Sequence, residues 1–292
     1  MDYTLIASYD NKLEIHDVVP EYSIIVPVHN QELIVVENIQ SVMMNTVGSY
    51  ELIVIFDACE DQTEMLALTF FKSLKSSQRI ICFRTDKSIF ETSCDNIGFK
   101  MARGEFCVEI QADMKIMTYG YNFILSRPCR IWEDVFAVSG RCCHQWKDSS
   151  VGIGKLGLKV ETTLSLTFNQ MNDFYIAETC NRGPLLFVTK RLATLNYLDE
   201  KNFFLGDDDH DIMARAFDQF KWINGYMPIE FYSPIHLGST RKPRTKVNQD
   251  RLHFRKSLSD GGYLGRRPDS TPRPLEVRKI EFNKKLIPTS NN

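Results

Sequence analysis

The sequence predicts an α/β fold: a Rossmann-like, mainly parallel sheet with helices on both faces. Three observations predict it. Short apolar runs rich in Ile and Val recur between Ser23 and Ile110. Stretches with apolar residues at helical spacing separate them, which is the rhythm of a parallel sheet wrapped by helices. Three of the runs lead into polar groups, Pro27-Val28-His29-Asn30, Asp57 and Gln111-Ala112-Asp113. Sheets of this kind bind ligands beyond the carboxyl ends of their strands.

Taken in order, residues 1–22 read as a mixed lead-in with room for one edge hairpin. Residues 23–26 are apolar and β-branched, a buried strand. Over 32–44, Val35, Val36, Ile39, Val42 and Met43 fall on one helical face. Residues 51–56 form the second strand. Asp61 offers a helix cap with Glu64 three residues on, ahead of Met65, Leu66 and Leu68. Residues 79–83 are a third strand, 94–102 a short helix closed by Arg103-Gly104, and 105–110 a fourth strand. The second half is less regular. It offers strands at 135–138 and 185–189, a helix at 162–171, and a helix at 207–220 with an acidic first turn. From Thr240 onward Pro, Arg, Lys, Ser and Gly dominate, which reads as a tail ordered only where it lies on the body.

Composition sets outer limits. Apolar residues make up 43% and charged residues 25%, enough for a substantial core. The net charge of −2 argues against a nucleic-acid binder. It is unevenly placed: from Thr240 there are 14 Lys/Arg against 5 Asp/Glu, and before it 21 against 32. The start of the chain has no signal-peptide pattern, and no apolar run approaches the length of a transmembrane segment. Eight scattered cysteines without a Cys-x-x-Cys read as buried free thiols in a reducing compartment, the cytoplasm, and not as a zinc site.

Four segments can carry chemistry. Asp57, at a strand end, can accept the N–H of a pyrimidine base, or it can be a loop or capping acid. Asp113 can bind a divalent cation, since Mg²⁺ or Mn²⁺ bridging a diphosphate needs only one or two carboxylates, or it can be a turn residue. Gly206-Asp207-Asp208-Asp209-His210-Asp211 crowds four acids into five positions. This is either a solvated helix start, where acids are favoured, or the home of a general base. His236 is either structural or a neutral imidazole metal ligand. Gly152-Ile153-Gly154-Lys155-Leu156-Gly157 matches the G-x-G-x-x-G pattern, but no strand precedes it, so it reads as a mobile loop rather than a dinucleotide site.

Together these segments resemble glycosyltransferase family 2, an inverting family with the GT-A fold, from Ser23 to about Thr240. Ser23-Ile24-Ile25-Val26-Pro27-Val28-His29-Asn30-Gln31-Glu32 is similar to the family's S-I-I-I-P-x-Y-N-E opening, with His29 in the tyrosine place. Residues 52–63 are similar to the segment ending in D-G-S-x-D-G-T. Asn96-Ile97-Gly98 with Ala102-Arg103-Gly104-Glu105 is similar to N-x-G…A-x-G-E, with Asp95 where an Arg is common. Gln111-Ala112-Asp113 falls on the D-x-D metal motif, with Gln in place of the first acid. Asn181-Arg182-Gly183-Pro184 resembles the acceptor-side turn, Asp208-Asp209-His210-Asp211 the E-D-x-D segment, and His236 with Ser239 the late H-x-x-S.

The resemblance implies a GT-A domain over 23–240, with a nucleotide-sugar half at 23–115 and an acceptor-side half at 116–240. The lead-in 1–22 and a basic tail at 241–292 flank it. It implies Asp209 as the catalytic base with Asp208 beside it. Pro27, His29, Asn30, Glu32, Asp57, Asp95, Asn96, Gln111, Ala112, Asp113, Gly183 and Arg241 would hold the nucleotide sugar. Asp113 and His236 would hold Mn²⁺ or Mg²⁺. The donor would be a nucleotide sugar, by family habit a UDP-sugar, and the acceptor a glycan, a lipid-linked molecule or a protein. Arg241, Lys242, Arg244 and Lys246 could close over the phosphates, or belong to a solvated basic tail. A nucleotidyltransferase would need a Gly- and Arg-rich loop after the first strand, which 27–30 lacks. A fold kept only for binding would have no need of a base.

Overall fold

The computed structural model describes residues 3–11, 19–145, 154–157, 172–203, 208–233 and 276–281. The first half alternates as the sequence predicts: β1 (Leu5–Asp10), β2 (Tyr22–Val28), α1 (Val35–Asn45), β3 (Tyr50–Phe56), α2 (Thr63–Ser73), β4 (Arg79–Thr85), α3 (Phe90–Met101) and β5 (Phe106–Glu109). Every residue of β2 and β3 is buried, which is why both strands read as apolar runs from Ile24 and from Leu52 onward; the polar pair before them, Ser23 and Glu51, is satisfied by its own hydrogen bond at 2.7 Å. The second half contains β6 (Lys115–Ile116), α4 (Tyr121–Ile131), β7 (Val135–Ser139), β8 (Cys142–Gln145), β9 (Gly154–Gly157), β10 (Asp173–Ala177), β11 (Thr179–Cys180) and β12 (Leu185–Val188). It continues through α5 (Thr189–Thr194), α6 (Asp208–Phe220), β13 (Ile223–Tyr226), β14 (Phe231–Tyr232) and β15 (Glu276–Lys279).

Among the described residues ten strands form one sheet in the order β1-β4-β3-β2-β5-β12-β7-β13-β10-β15. The stretch β4-β3-β2-β5 is parallel throughout. Beyond β5 the sheet is mixed: β12 pairs antiparallel with both β5 and β7, and β13 lies parallel to β7. The lead-in contributes an edge strand, β1, antiparallel to β4, and residues 276–279 add the opposite edge, antiparallel to β10.

Alternate residues of each strand serve different faces. Ile24, Val26, Leu52, Val54 and Phe56 pack with Val35, Ile39, Phe71 and Leu125 from α1, α2 and α4. Ile25, Ile53, Ile55 and Cys107 pack with Ile97, Leu192, Ile212 and Met213 from α3, α5 and α6. Gly98 permits the close seat of α3, because a Cβ there would meet Ile25 Cγ2 at 2.4 Å.

The helix expected at 94–102 begins a turn earlier, at Phe90. Gly154–Gly157 is not a loop but a strand, antiparallel to β8, so the G-x-G-x-x-G pattern does not open a helix after a parallel strand. The helix expected at 162–171 lies outside the described residues. All eight cysteines are free thiols.

Candidate active site

The loops that follow β2 and β3 are laced together at the carboxyl edge of the parallel strands. His29 Nδ1 donates to the main-chain carbonyl of Asp57 at 2.5 Å, which leaves Nε2 as an acceptor 3.3 Å from Asn30 Nδ2. Asn30 Oδ1 accepts the N–H of Glu60 at 2.9 Å. Glu32 Oε2 accepts the N–H of Gln62 at 3.0 Å, and Asp61 Oδ2 accepts that of Glu32 at 3.2 Å. Pro27 sits in β2 beyond its last ladder pair with β5, Ile25 opposite Glu109. Its missing N–H therefore leaves no gap on that side. Asn30, Gln31, Glu32, Glu60 and Asp61 line a cleft of about 340 Å³. That is near the lower bound for a small-molecule site.

Asp57 is buried and accepts four hydrogen bonds. Oδ1 takes the N–H of Ile89 at 2.7 Å and the Thr85 hydroxyl at 3.3 Å. Oδ2 takes the Ser88 hydroxyl at 2.8 Å and the N–H of Phe90 at 3.1 Å. The carboxylate thus fixes the loop into α3. Asn30, Ala58 and Phe90 all have positive φ, at 50°, 43° and 67°. Such backbone is costly for non-glycine residues and tends to gather at functional sites.

Asp113, also buried, follows β5 in a turn closed by the Met114 N–H on the Gln111 carbonyl at 3.0 Å. Asn38 Nδ2 holds the Ala112 carbonyl at 2.6 Å. Gln111 donates from Nε2 to Glu91 Oε1 at 2.9 Å and accepts from Arg141 at 3.4 Å. Gly183, at φ 74°, lies against this turn: a Cβ there would meet Met114 Sδ at 2.8 Å and Gln111 Oε1 at 2.9 Å.

Behind the turn is a buried charge network with Arg182 inside it. The Arg182 guanidinium pairs with Asp95 at 3.0 Å, with Glu91 at 3.3 Å, and with Asp208. Asp208 Oδ2 also accepts the Thr92 hydroxyl at 2.6 Å, and its Oδ1 accepts the N–H of Asp209 at 3.0 Å. Asp209 Oδ2 accepts the N–H of Arg182 at 3.1 Å, and Oδ1 that of His210 at 2.9 Å. Burial raises the Asp209 pKa, but the His210 and Arg182 charges and these N–H donors outweigh it and hold the carboxyl below its usual range. Glu109, whose Oε2 accepts the N–H of Gly183 at 3.2 Å, is pushed up to about 8, chiefly by burial. Burial, then the Glu109 charge, raises Asp95 as well.

Glu91, Asp95 and Glu109 offer oxygens within 4.8 Å of one another, a set that could hold a cation. The Arg182 guanidinium already supplies positive charge on the Glu91 and Asp95 side. Asn96 spends its amide elsewhere: Nδ2 donates to the Leu198 carbonyl and to Glu200, both at 2.8 Å, and Oδ1 accepts the N–H of Leu198. It ties α3 to the 198–200 segment. His236 and Arg241 lie outside the described residues.

The sequence reading did not single out Glu91, Glu109 or Arg182 as site residues. Glu109 carried a signal, being an acid within the strand run Phe106-Cys107-Val108-Glu109-Ile110. Glu91 carried none, being an ordinary charged residue by spacing; Arg182 lay in Asn181-Arg182-Gly183-Pro184, which resembles the acceptor-side turn, but nothing there marks its guanidinium as buried among acids.

The fold has counterparts in known proteins. Residues 23–118, about a third of the chain, match the family model described as Glycosyl transferase family 2. That stretch thus resembles a family 2 domain, and the fold is of the GT-A type, as the sequence resemblance implies. No curated protein matches it in sequence. Among solved structures it is similar to GalNAc-T7 crystallised with UDP, GalNAc and Mn²⁺, at 15% identity and TM-score 0.58, covering 74% of this chain and 44% of that one. It is similar to residues 1–349 of S. aureus TarS in complex with UDP-GlcNAc, at 14% identity and TM-score 0.52, covering 75% and 61%. It is also similar to the Pyrobaculum calidifontis mannosyltransferase PcManGT in complex with GDP-Man and Mn²⁺, at 14% identity and TM-score 0.57, covering 86% and 67%. The chain spans less than half of the GalNAc-T7 chain. Among the described residues no helix is long and apolar enough to cross a membrane.

Proposed function

We propose that this chain is a glycosyltransferase that moves a sugar, with inversion, from a nucleotide-sugar donor to an acceptor hydroxyl. The observation that carries the reading is the seat of Asp209. Against burial, the His210 and Arg182 charges hold its carboxyl below the usual pKa range; it accepts the Arg182 N–H, and Gly183, the residue after that arginine, packs on the Gln111–Asp113 turn. A base and a donor-side acid therefore belong to adjoining segments.

In this reading residues 23–115 bind the donor. Asp57 and the laced loops at His29, Asn30 and Glu32 receive the nucleotide. Asp113, with His236 from the acceptor-side half, would hold Mn²⁺ or Mg²⁺. That ion, when bound, would neutralise charge on the departing diphosphate. Asp209 takes the proton of the acceptor hydroxyl as its oxygen attacks, and Asp208 supports it. The donor to try first is a UDP-sugar, since two of the three similar structures were solved with UDP or a UDP-sugar and one with GDP-Man. The acceptor is a hydroxyl of a glycan, a lipid-linked molecule or a protein.

The test is a thermal-shift panel of nucleoside diphosphates and nucleotide sugars, with and without Mn²⁺. A ligand at 100 times its Kd should add about 2.7 kcal/mol of stability. The expected result is stabilisation by one base series, enhanced by Mn²⁺, followed by transfer from the matching sugar donor. A flat response to every nucleotide would sink the reading.

A further inference from the structure

We propose that Arg182 is the positioning residue of the base: its main-chain N–H aims Asp209, while its guanidinium clamps Asp208 and ties both to the donor-side acids Glu91 and Asp95. This rests on the reading of Asp209 as base.

Asp208 and Asp209 are consecutive, both buried, and both in the first turn of α6. Two carboxylates in that position repel each other, and the helix N-terminus compensates only partly. The acids around them make the problem worse. Glu109 approaches from β5 and Asp95 from α3; burial and then the Glu109 charge raise the Asp95 pKa, and burial, with the Glu91 and Asp209 charges, raises that of Glu109. Arg182 enters this group of acids from the segment before β12. It is itself buried, and the surrounding acids, outweighing its burial, keep it firmly protonated.

Geometry shows what it does there. One nitrogen, Nη1, reaches Glu91 at 3.3 Å and Asp95 at 3.0 Å, both on α3. The other, Nη2, pairs with Asp208 on α6. The planar fork therefore bridges two helices that approach from different parts of the chain. Glu91 continues the connection through Gln111 Nε2 at 2.9 Å, so the line runs from the donor-side turn to the base. The main-chain N–H of the same residue fixes the Asp209 oxygen. A lysine can supply the charge but not the fork.

Among the described residues, the groups that face Asp209 are Asp208 and His210 from its own helix, Arg182, Glu109 from β5, Asp95 from α3 and the Cys180 thiol from β11. Taking away the guanidinium removes a cation from this set. The Asp209 pKa then rises, and a base must be deprotonated to act. The acid limb of the kcat–pH profile should move to higher pH.

The experiment compares Arg182→Lys, Arg182→Met and Asp209→Asn with the wild-type full chain. It follows kcat against pH, acceptor KM, and donor Kd by calorimetry. Arg182→Lys keeps the buried charge and should fold. Its kcat should fall roughly 10-fold with donor Kd within about twofold, because misplacing a catalytic group by ~1 Å costs up to about 10² in rate. Arg182→Met, where it folds, should lose on the order of 10²-fold in kcat and shift its acid limb upward, while Arg182→Lys keeps the wild-type limb. Wild-type kcat in Arg182→Lys overturns the proposal, as does an unmoved acid limb in a folded Arg182→Met. If Asp209→Asn is dead while Arg182→Lys is fully active, only the positioning role falls. If Asp209→Asn is fully active, the base reading falls and takes this proposal with it.

Discussion

Oδ1 of Asp57, at the end of β3, accepts the main-chain N–H of Ile89 at 2.7 Å, which makes this acid the anchor of the loop into α3. Two roles meet on one carboxylate. Asp57→Ala should lower stability by about 1–3 kcal/mol, the usual cost of stranding buried donors. It should also weaken nucleotide binding. Urea unfolding and nucleotide calorimetry on the same variant separate the two. Lost stability with an unchanged Kd would leave Asp57 as an anchor only.

Asp209→Asn keeps size and hydrogen-bonding capacity but cannot take a proton. Transfer should fall by roughly 10²–10⁴-fold, with donor affinity near wild type. Asp208→Asn should do less harm, because Asp208 is assigned to support. Steady-state transfer rates for both variants check this. A dead Asp208→Asn beside an active Asp209→Asn would put the base one residue earlier.

Asp113→Asn should weaken metal-dependent donor binding. With Gln111 where the family pattern has an acid, the wild type should bind Mn²⁺ weakly alone and more tightly once a diphosphate is present. Calorimetry of Mn²⁺ with and without nucleotide reads this directly. Tight binding to the nucleotide-free protein, abolished by Glu109→Gln and not by Asp113→Asn, would move the ion to the Glu91–Asp95–Glu109 set.

Glu109 gives a pH signature. Its folded pKa, about 8, lies above the unfolded value near 4.5. The folded state then binds the extra proton between those values, so stability is fully present below the unfolded pKa. It declines as pH rises towards 8, by at most about 1.4 kcal/mol per pH unit. Asp95 adds a slope of the same sign. Glu109→Gln should flatten the dependence. Chemical denaturation at pH 5, 6, 7 and 8 is the measurement, and equal slopes in variant and wild type would refute the shift.

The first half was readable in sequence because its strands are buried on both faces. Apart from Ser23 and Glu51 near their starts, β2 and β3 hold only β-branched and other apolar residues, so their positions announce themselves. The second half hides for the opposite reason. In α4 the buried set includes Asn122, Ser126, Arg127 and Pro128, which blurs any helical stripe. β13 is four residues long and contains Asn224 and Gly225. The acids of the site were visible as a crowded run at 207–211. Arg182 was visible only as part of Asn181-Arg182-Gly183-Pro184; its place among these acids was not, because an arginine bound for a buried network has the same sequence signature as one bound for water.

Ile25 and Val26 are neighbours in β2, yet they belong to opposite halves of the interior, and those halves are unequal. On the side of α1, α2 and α4 the sheet meets mostly hydrocarbon. Glu51, Asp95, Glu109, Asp208 and Asp209 are all buried on or beside the elements of the other side, at β3, α3, β5 and α6. The protein is therefore built as an apolar backing plate with an electrically loaded front. Amides of α6 should exchange with deuterium sooner than those of α1, and a neutralising change in front should slow them without touching the backing. Mutations that stabilise this protein will be found in front, where they are also most apt to silence it.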